Sequence, residues 1–118
     1  MKRNIIFYKN INQKCPIEEF LDNLDDIVVS KILAVFKYIE ELLIIPDKYF
    51  KKLSNTDIYE IRIKAGNRIF RILCFFHKNS QIILTNGFQK KSQKTPKKEI
   101  IIAEKYKEDY LRRIKWVI

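Results

Sequence analysis

The spacing of apolar side chains changes twice along the chain, and each change marks an element. Ile5-Ile6-Phe7-Tyr8, β-branched and aromatic and followed by Asn10 and Asn12, predicts a short strand ending in a turn. Pro16 then stands where a helix begins, and Ile17, Phe20, Leu21 and Leu24 recur at i, i+3, i+4 and i+7. Asp25 and Asp26 offer a cap and first-turn charge to a second helix. Its apolar positions, Ile27 or Val28, Ile32, Val35, Phe36, Ile39, Leu42 and Leu43, keep helical period up to Pro46. The two helices are expected to form a hairpin.

Beyond Pro46 the period falls to two. Tyr59, Ile61 and Ile63 share one face of a strand, and Glu60, Arg62 and Lys64 the other. Ala65-Gly66-Asn67 is a turn, Arg68 to Phe76 a long aromatic and β-branched strand, and Lys78-Asn79-Ser80 a second turn. Gln81 to Phe88 forms another strand, with Ile82, Leu84, Asn86 and Phe88 in one parity. Thr95-Pro96 places a cap and a first-turn proline before a terminal helix carrying Glu99, Ile100, Ala103, Tyr106, Tyr110, Leu111 and Ile114. The fold class is α+β: a small antiparallel sheet with an N-terminal helical hairpin and a C-terminal helix, the helices covering one sheet face.

Length makes this one domain over residues 1–118, since 118 residues leave no room for a second core. Composition adds that 47% hydrophobic residues are too many for disorder, while the net charge of +10 predicts an acidic partner. The charge is unevenly placed. Residues 1–47 carry six basic and eight acidic side chains, and residues 48–118 carry eighteen and six, a net of +12. Between Glu60 and Glu99 there is no carboxylate, although ten Lys or Arg fall there. Cys15 and Cys74 make no metal-type spacing, and no run reaches the roughly 20 apolar residues of a membrane span. With no signal-like stretch, a reduced, cytoplasmic setting without membrane contact is expected. Cys74 reads as a small core residue and the lone His77 as a strand-end or turn residue.

Two constellations carry candidate chemistry. Arg71 shares parity with Ile69, Leu73 and Phe75, where a guanidinium is costly to desolvate without a partner or a wet cleft. Either it pairs with Glu60 or Glu99 or snorkels to the sheet edge, or its face opens into an anion-binding cleft where Arg62 and Arg68 converge with it. The second constellation, Gly87 to Lys98, holds five lysines, Phe88 and a helix N-terminus, a set suited to phosphates and a stacked base. Glycosidase, metal-hydrolase and nucleophile-triad readings find no residues to support them. Asp57 with Glu60-Ile61-Arg62 is a faint D…E-x-K nuclease pattern, with Arg62 where the pattern needs Lys.

Three segments, Glu60-Ile61-Arg62-Ile63, Asn67 to Leu73, and Gly87-Phe88-Gln89-Lys90-Lys91-Ser92-Gln93-Lys94-Thr95-Pro96, resemble the RelE/ParE superfamily of type II toxin–antitoxin toxins, most closely its HigB-like, phage-derived branch. The likeness covers roughly residues 3–113, and the last segment is its specific part. The resemblance implies a RelE-like fold and a ribosome-dependent mRNA endoribonuclease that inhibits translation with no metal and no cofactor. It further implies a cognate antitoxin, expected to be a helix-turn-helix protein encoded nearby. On this resemblance Arg71 and Arg68 take the scissile phosphate, and Arg62 and Lys90 support them or handle protons. Phe88 stacks on a base, while Lys64, Lys91, Lys94, Lys97 and Lys98 hold flanking phosphates or ribosomal RNA. The proton carrier stays open among Lys90, Lys91, Tyr106 and Tyr110, because free Lys titrates far above neutrality. A ParE-like gyrase inhibitor, a non-catalytic basic RNA-binding protein and a degenerate toxin that only joins its antitoxin on an operator are the alternatives.

Overall fold

The structure, a computed structural model, describes residues 2–78, 80–92 and 94–115. Its elements run β1 (Asn4–Phe7), α1 (Pro16–Asp22), α2 (Asp26–Glu41), β2 (Phe50–Lys52), β3 (Tyr59–Ala65), β4 (Arg68–His77), β5 (Gln81–Lys90) and α3 (Lys97–Lys115). Five strands form one sheet in the order β1-β5-β4-β3-β2. The expected antiparallel meander is there as β3-β4-β5, but β1 lies parallel to β5 at the edge, so the sheet is mixed rather than antiparallel. A three-residue strand, β2, adds the opposite edge.

Local chemistry explains most boundaries. Pro16 opens α1, and the Asp25 carboxylate accepts a hydrogen bond from the Val28 amide at 3.0 Å to cap α2. α2 stops at Glu41, short of the apolar pattern that continues to Leu43, and Leu43 and Ile44 lie exposed. Gly66 has φ +64° in the first central position of the two-residue β3–β4 turn, where a type II′ hairpin demands glycine. Asn79 of the next expected turn, and Gln93 of the lysine-rich segment, lie outside the described residues.

Helices cover both sheet faces, not one. α1 lies over β5 and α2 over β3 and β1, and the main contacts of each are with the sheet rather than with the other helix, as a hairpin would require. Under them Ile61, Ile63, Phe70, Ile72, Cys74, Ile82 and Leu84 close a dry core. The expected core role of Cys74 holds, and burial pushes its thiol well up from the usual range. α3 crosses the opposite face, packing Ala103, Tyr106 and Tyr110 against Tyr8, Leu73, Phe75 and Ile83. The chain thus needs two apolar layers, one on each side of the sheet.

A bulge allots β5 to those layers. Ile72 pairs with Gly87 but Cys74 pairs with Leu84, so Thr85 and Asn86 together oppose Leu73. Both polar residues are buried and satisfied: the Thr85 hydroxyl donates to the Leu73 carbonyl at 3.0 Å, and the Asn86 amide donates to the Glu99 carboxylate at 3.1 Å. The extra residue reverses the side-chain alternation. Ile82 and Leu84 therefore face the α1/α2 core while Phe88 faces the other way, contrary to the single parity expected for them. Gly87 faces α1, where a Cβ would meet the Phe20 ring at 2.6 Å, so the residue between the two layers has to be glycine.

Candidate anion-binding site

α3 starts beside Asn86 and runs toward the His77 end of β4, where Tyr110 meets the rings of Phe75 and His77. The hairpin end of the same sheet face is left without a helix. Two rows of side chains cross it: Arg62, Arg71 and Phe88 are mutual partners across β3, β4 and β5, and Lys64, Ile69 and Lys90 form the next row. Like charges directly opposite each other on a sheet are destabilising. Here the Arg62–Arg71 pair is kept by one carboxylate two residues back on β3.

That carboxylate is Glu60, only 2% exposed. It accepts a hydrogen bond from Arg62 Nε at 2.9 Å and one from the Thr95 hydroxyl at 2.7 Å, and it lies 3.6 Å from Arg71 Nε. Of the two carboxylates expected for Arg71, Glu60 is the partner, while Glu99 is engaged by Asn86. The 3.6 Å pair is an electrostatic contact beyond hydrogen-bond length, and Arg71 Nε is buried without a hydrogen-bond partner among the described residues. Arg62 also donates to the Asp47 carbonyl. One negative charge therefore sits among the three positive charges of Arg62, Arg71 and Lys90, leaving the group at +2 and open to an anion.

Burial, reinforced by the Arg62 charge and opposed by Glu60, lowers the proton affinity of Arg71. Lys90 is held below the ordinary lysine range by burial first and then by Arg71 and Arg62, with Glu60 opposing. An anion arriving between them relieves both penalties. Two adjoining clefts provide the room. One, about 190 Å³, is lined by Lys48, Arg62, Lys64, Ile69 and Arg71, and the other, about 410 Å³, by Ile69, Arg71, Lys90, Lys91 and Ser92. Arg71 forms part of both walls.

The structure brings Arg62, Arg71, Lys90, Lys64 and Phe88 onto one face and takes Arg68 off it. Arg68 and Arg71 are three residues apart in an extended strand, which places them on opposite sides. Arg68 instead pairs with Asp25 at 3.0 Å and lies over the Phe70 ring, so its expected convergence with Arg71 does not occur. Phe88 is half-buried against the α3-side core. Lys91, Lys94, Lys97 and Lys98 are exposed on the loop and the first turn of α3. Tyr106 and Tyr110 pack in the α3 layer, Tyr106 stacked on Tyr8 at 4.6 Å and Tyr110 edge-on to Phe75, four residues along β4 from Arg71.

Three participants were not singled out from the sequence for this site. Thr95, expected as a helix cap, instead ties the lysine-bearing loop to Glu60, and α3 starts after Pro96. Glu60 was visible as one possible partner of Arg71, in a faint nuclease pattern and within a resemblance segment, but was given no role in the site, although it is the last carboxylate before the acid-free stretch. Lys48 comes from a loop with no period to read. It reaches the site because the chain from Pro46 to Phe50 lies along β3, where the Arg62 amide donates to the Tyr49 carbonyl at 2.8 Å.

A family model described as phage-derived protein Gp49-like (DUF891) matches residues 19–108, a span that includes every residue of the site. Comparison with curated proteins gives no significant match.

Proposed function

The chain belongs to the phage-derived Gp49-like family (DUF891), and from that premise we propose that it is the toxin of a toxin–antitoxin module, an endoribonuclease that cuts mRNA on the ribosome and is restrained by a cognate antitoxin. The family is one of candidate toxins of such modules. The observation that carries the catalytic reading is the cross-strand Arg62–Arg71 pair, offset by the single buried Glu60 and opening onto two clefts.

In the proposed reaction the ribose 2′-oxygen attacks the adjacent phosphorus and the bond from phosphorus to the 5′-oxygen breaks. The products are a 2′,3′-cyclic phosphate and a 5′-hydroxyl. Charge builds on the non-bridging oxygens, and preorganised donors aimed at such charge supply about 3 to 4 kcal/mol each. Arg71 and Arg62 fill that role, with Glu60 holding their side chains in place. Lys90, its ammonium already disfavoured by burial and by Arg71, takes the 2′-hydroxyl proton, and the leaving 5′-oxygen takes one from solvent or from a lysine of the loop. Lys91, Lys94, Lys97 and Lys98 give sequence-independent attraction to flanking phosphates or ribosomal RNA.

The test is a reconstituted translation reaction with a defined mRNA. The wild-type protein is expected to yield fragments with 5′-hydroxyl ends, and Arg71→Ala to slow their appearance roughly 10²- to 10³-fold. Intact mRNA in the presence of translating ribosomes overturns the nuclease reading. Growth arrest with intact transcripts and altered DNA supercoiling assigns the chain to gyrase inhibition instead.

A further inference from the structure

β2 pairs with residues 59–61 and the Arg62 amide still donates to the Tyr49 carbonyl, so among the described residues the edge of β3 has no neighbouring strand from Ile63 onward. A groove of about 510 Å³ occupies the missing strand's place, between that edge and α2. Its rim carries Lys31 from α2, Lys48 from the loop before β2, and Arg62 and Lys64 from β3, with no carboxylate among the lining residues. Its apolar wall includes Tyr38 and Tyr49, whose ring centroids lie 5.6 Å apart at a 49° tilt, and the Lys48 ammonium sits 5.1 Å from the Tyr49 ring. Lys48, Arg62 and Lys64 also line the cleft that contains Arg71, so the groove and the anion site share a wall.

We propose that this groove is a nucleotide subsite, in which a base of single-stranded RNA stacks on Tyr38 while Lys31, Lys48 and Lys64 hold the phosphates that lead to the Arg62–Arg71 site. The inference rests on the RNA-cleaving reading above and extends it to a flanking nucleotide. Tyr38 is 44% exposed although it is a large aromatic residue on a helix whose other face is dry core. A stacking platform needs such an open ring face, and the cations around it supply the sequence-independent attraction that single-stranded binders combine with stacking. The size suits a small-molecule-sized group. An acidic protein segment would also meet the cations. Continuity with the anion site favours a polyanion that passes through both.

The experiment measures fluorescence anisotropy of labelled oligouridylates of two to eight nucleotides with the full chain and with Tyr38→Ala, Tyr38→Phe, Lys31→Ala and Arg71→Ala, alongside mRNA cleavage on ribosomes. Tyr38→Ala is expected to weaken binding of the longer oligomers about five- to a hundredfold, the range for one lost stack, and to leave dinucleotides unaffected. Tyr38→Phe keeps the ring and is expected to bind as wild type. Lys31→Ala is expected to lower the salt dependence by about one phosphate contact. Circular dichroism confirms that the variants fold. Oligomer binding unchanged by Tyr38→Ala but weakened by Arg71→Ala overturns the subsite and spares the nuclease reading. Tyr38-dependent binding with no cleavage overturns the nuclease reading and supports the subsite. Loss of antitoxin binding by Tyr38→Ala with RNA binding intact gives the groove to a protein segment and overturns the subsite.

Discussion

The two faces of the sheet are built from the same strands and ask opposite things of them. Under α1 and α2, Phe70, Ile72, Ile61 and Ile63 are at most 2% exposed and make no polar contact through their side chains. One residue along each strand, on the other face, Arg71 opposes Arg62 with Glu60 wedged beside them. The first face gains stability from burying every side chain. The second keeps like charges adjacent, which a stability optimum would avoid, and local rules broken in this way are concentrated at functional sites. α3 makes the division possible by covering only the His77 end of its face, so that buried layer and open site share one surface.

Substitutions on each face break this contrast in different ways. The largest effect belongs to the closed face: Phe70→Ala is expected to cost about 3 to 5 kcal/mol in urea unfolding, since it opens a cavity beneath Phe20. Glu60→Gln, on the open face, is expected to cost about 2 kcal/mol. That is less than for a fully buried pair because Arg62 keeps 29% of its side chain in solvent. A neutral or stabilising result there refutes the claim that Glu60 holds the two guanidiniums. The contrast is sharpest when oligonucleotide binding is followed in the same two variants: impaired in Glu60→Gln, normal in Phe70→Ala once folded.

Lys90 gives a pH test. Its folded-state proton affinity is lowered, so the unfolded chain binds more protons and this residue's contribution to stability rises with pH, up to the usual lysine value of roughly 10.4. Lys90→Met is expected to flatten that rise. In cleavage, a base that must be neutral makes the rate climb with pH through the lowered range, and the same substitution is expected to remove that limb. Arg68→Ala is the smallest expected effect. Its pair with Asp25 is about half exposed on both sides, so a loss of at most about 1 kcal/mol is expected, with cleavage unchanged. A cleavage defect as large as that of Arg71→Ala breaks the assignment of the two arginines to different faces.

Much of the fold was legible because its signals are local. Period two over residues 59–64, the Gly66 turn, the Asp25 cap and the helical spacing from Val28 to Ile39 each lie within a few residues. Other features had no local signal. β2 is three residues long with one buried side chain, too short for any period. The parallel pairing of β1 with β5 joins ends of the chain that nothing in sequence connects. The Thr85–Asn86 bulge looks like an ordinary polar interruption of a strand, yet it reverses the side of every residue after it.

The candidate site divides along the same line. Strand parity alone separates Arg71 from Phe70 and Ile72, and composition alone shows the acid-free basic stretch, because alternation and charge are properties of neighbouring residues. The parity of β4 also contained the answer for Arg68. The expectation that the hairpin turn would gather all three arginines overrode it. Which carboxylate pairs with Arg71, that Thr95 anchors the lysine loop rather than capping α3, that Phe88 lies beside Arg71, and that Lys48 and Tyr38 flank the cleft were decided only by tertiary structure. Each of these depends on where a bulge, a chain crossing or a helix end brings distant segments together, and no residue's immediate neighbours carry that information.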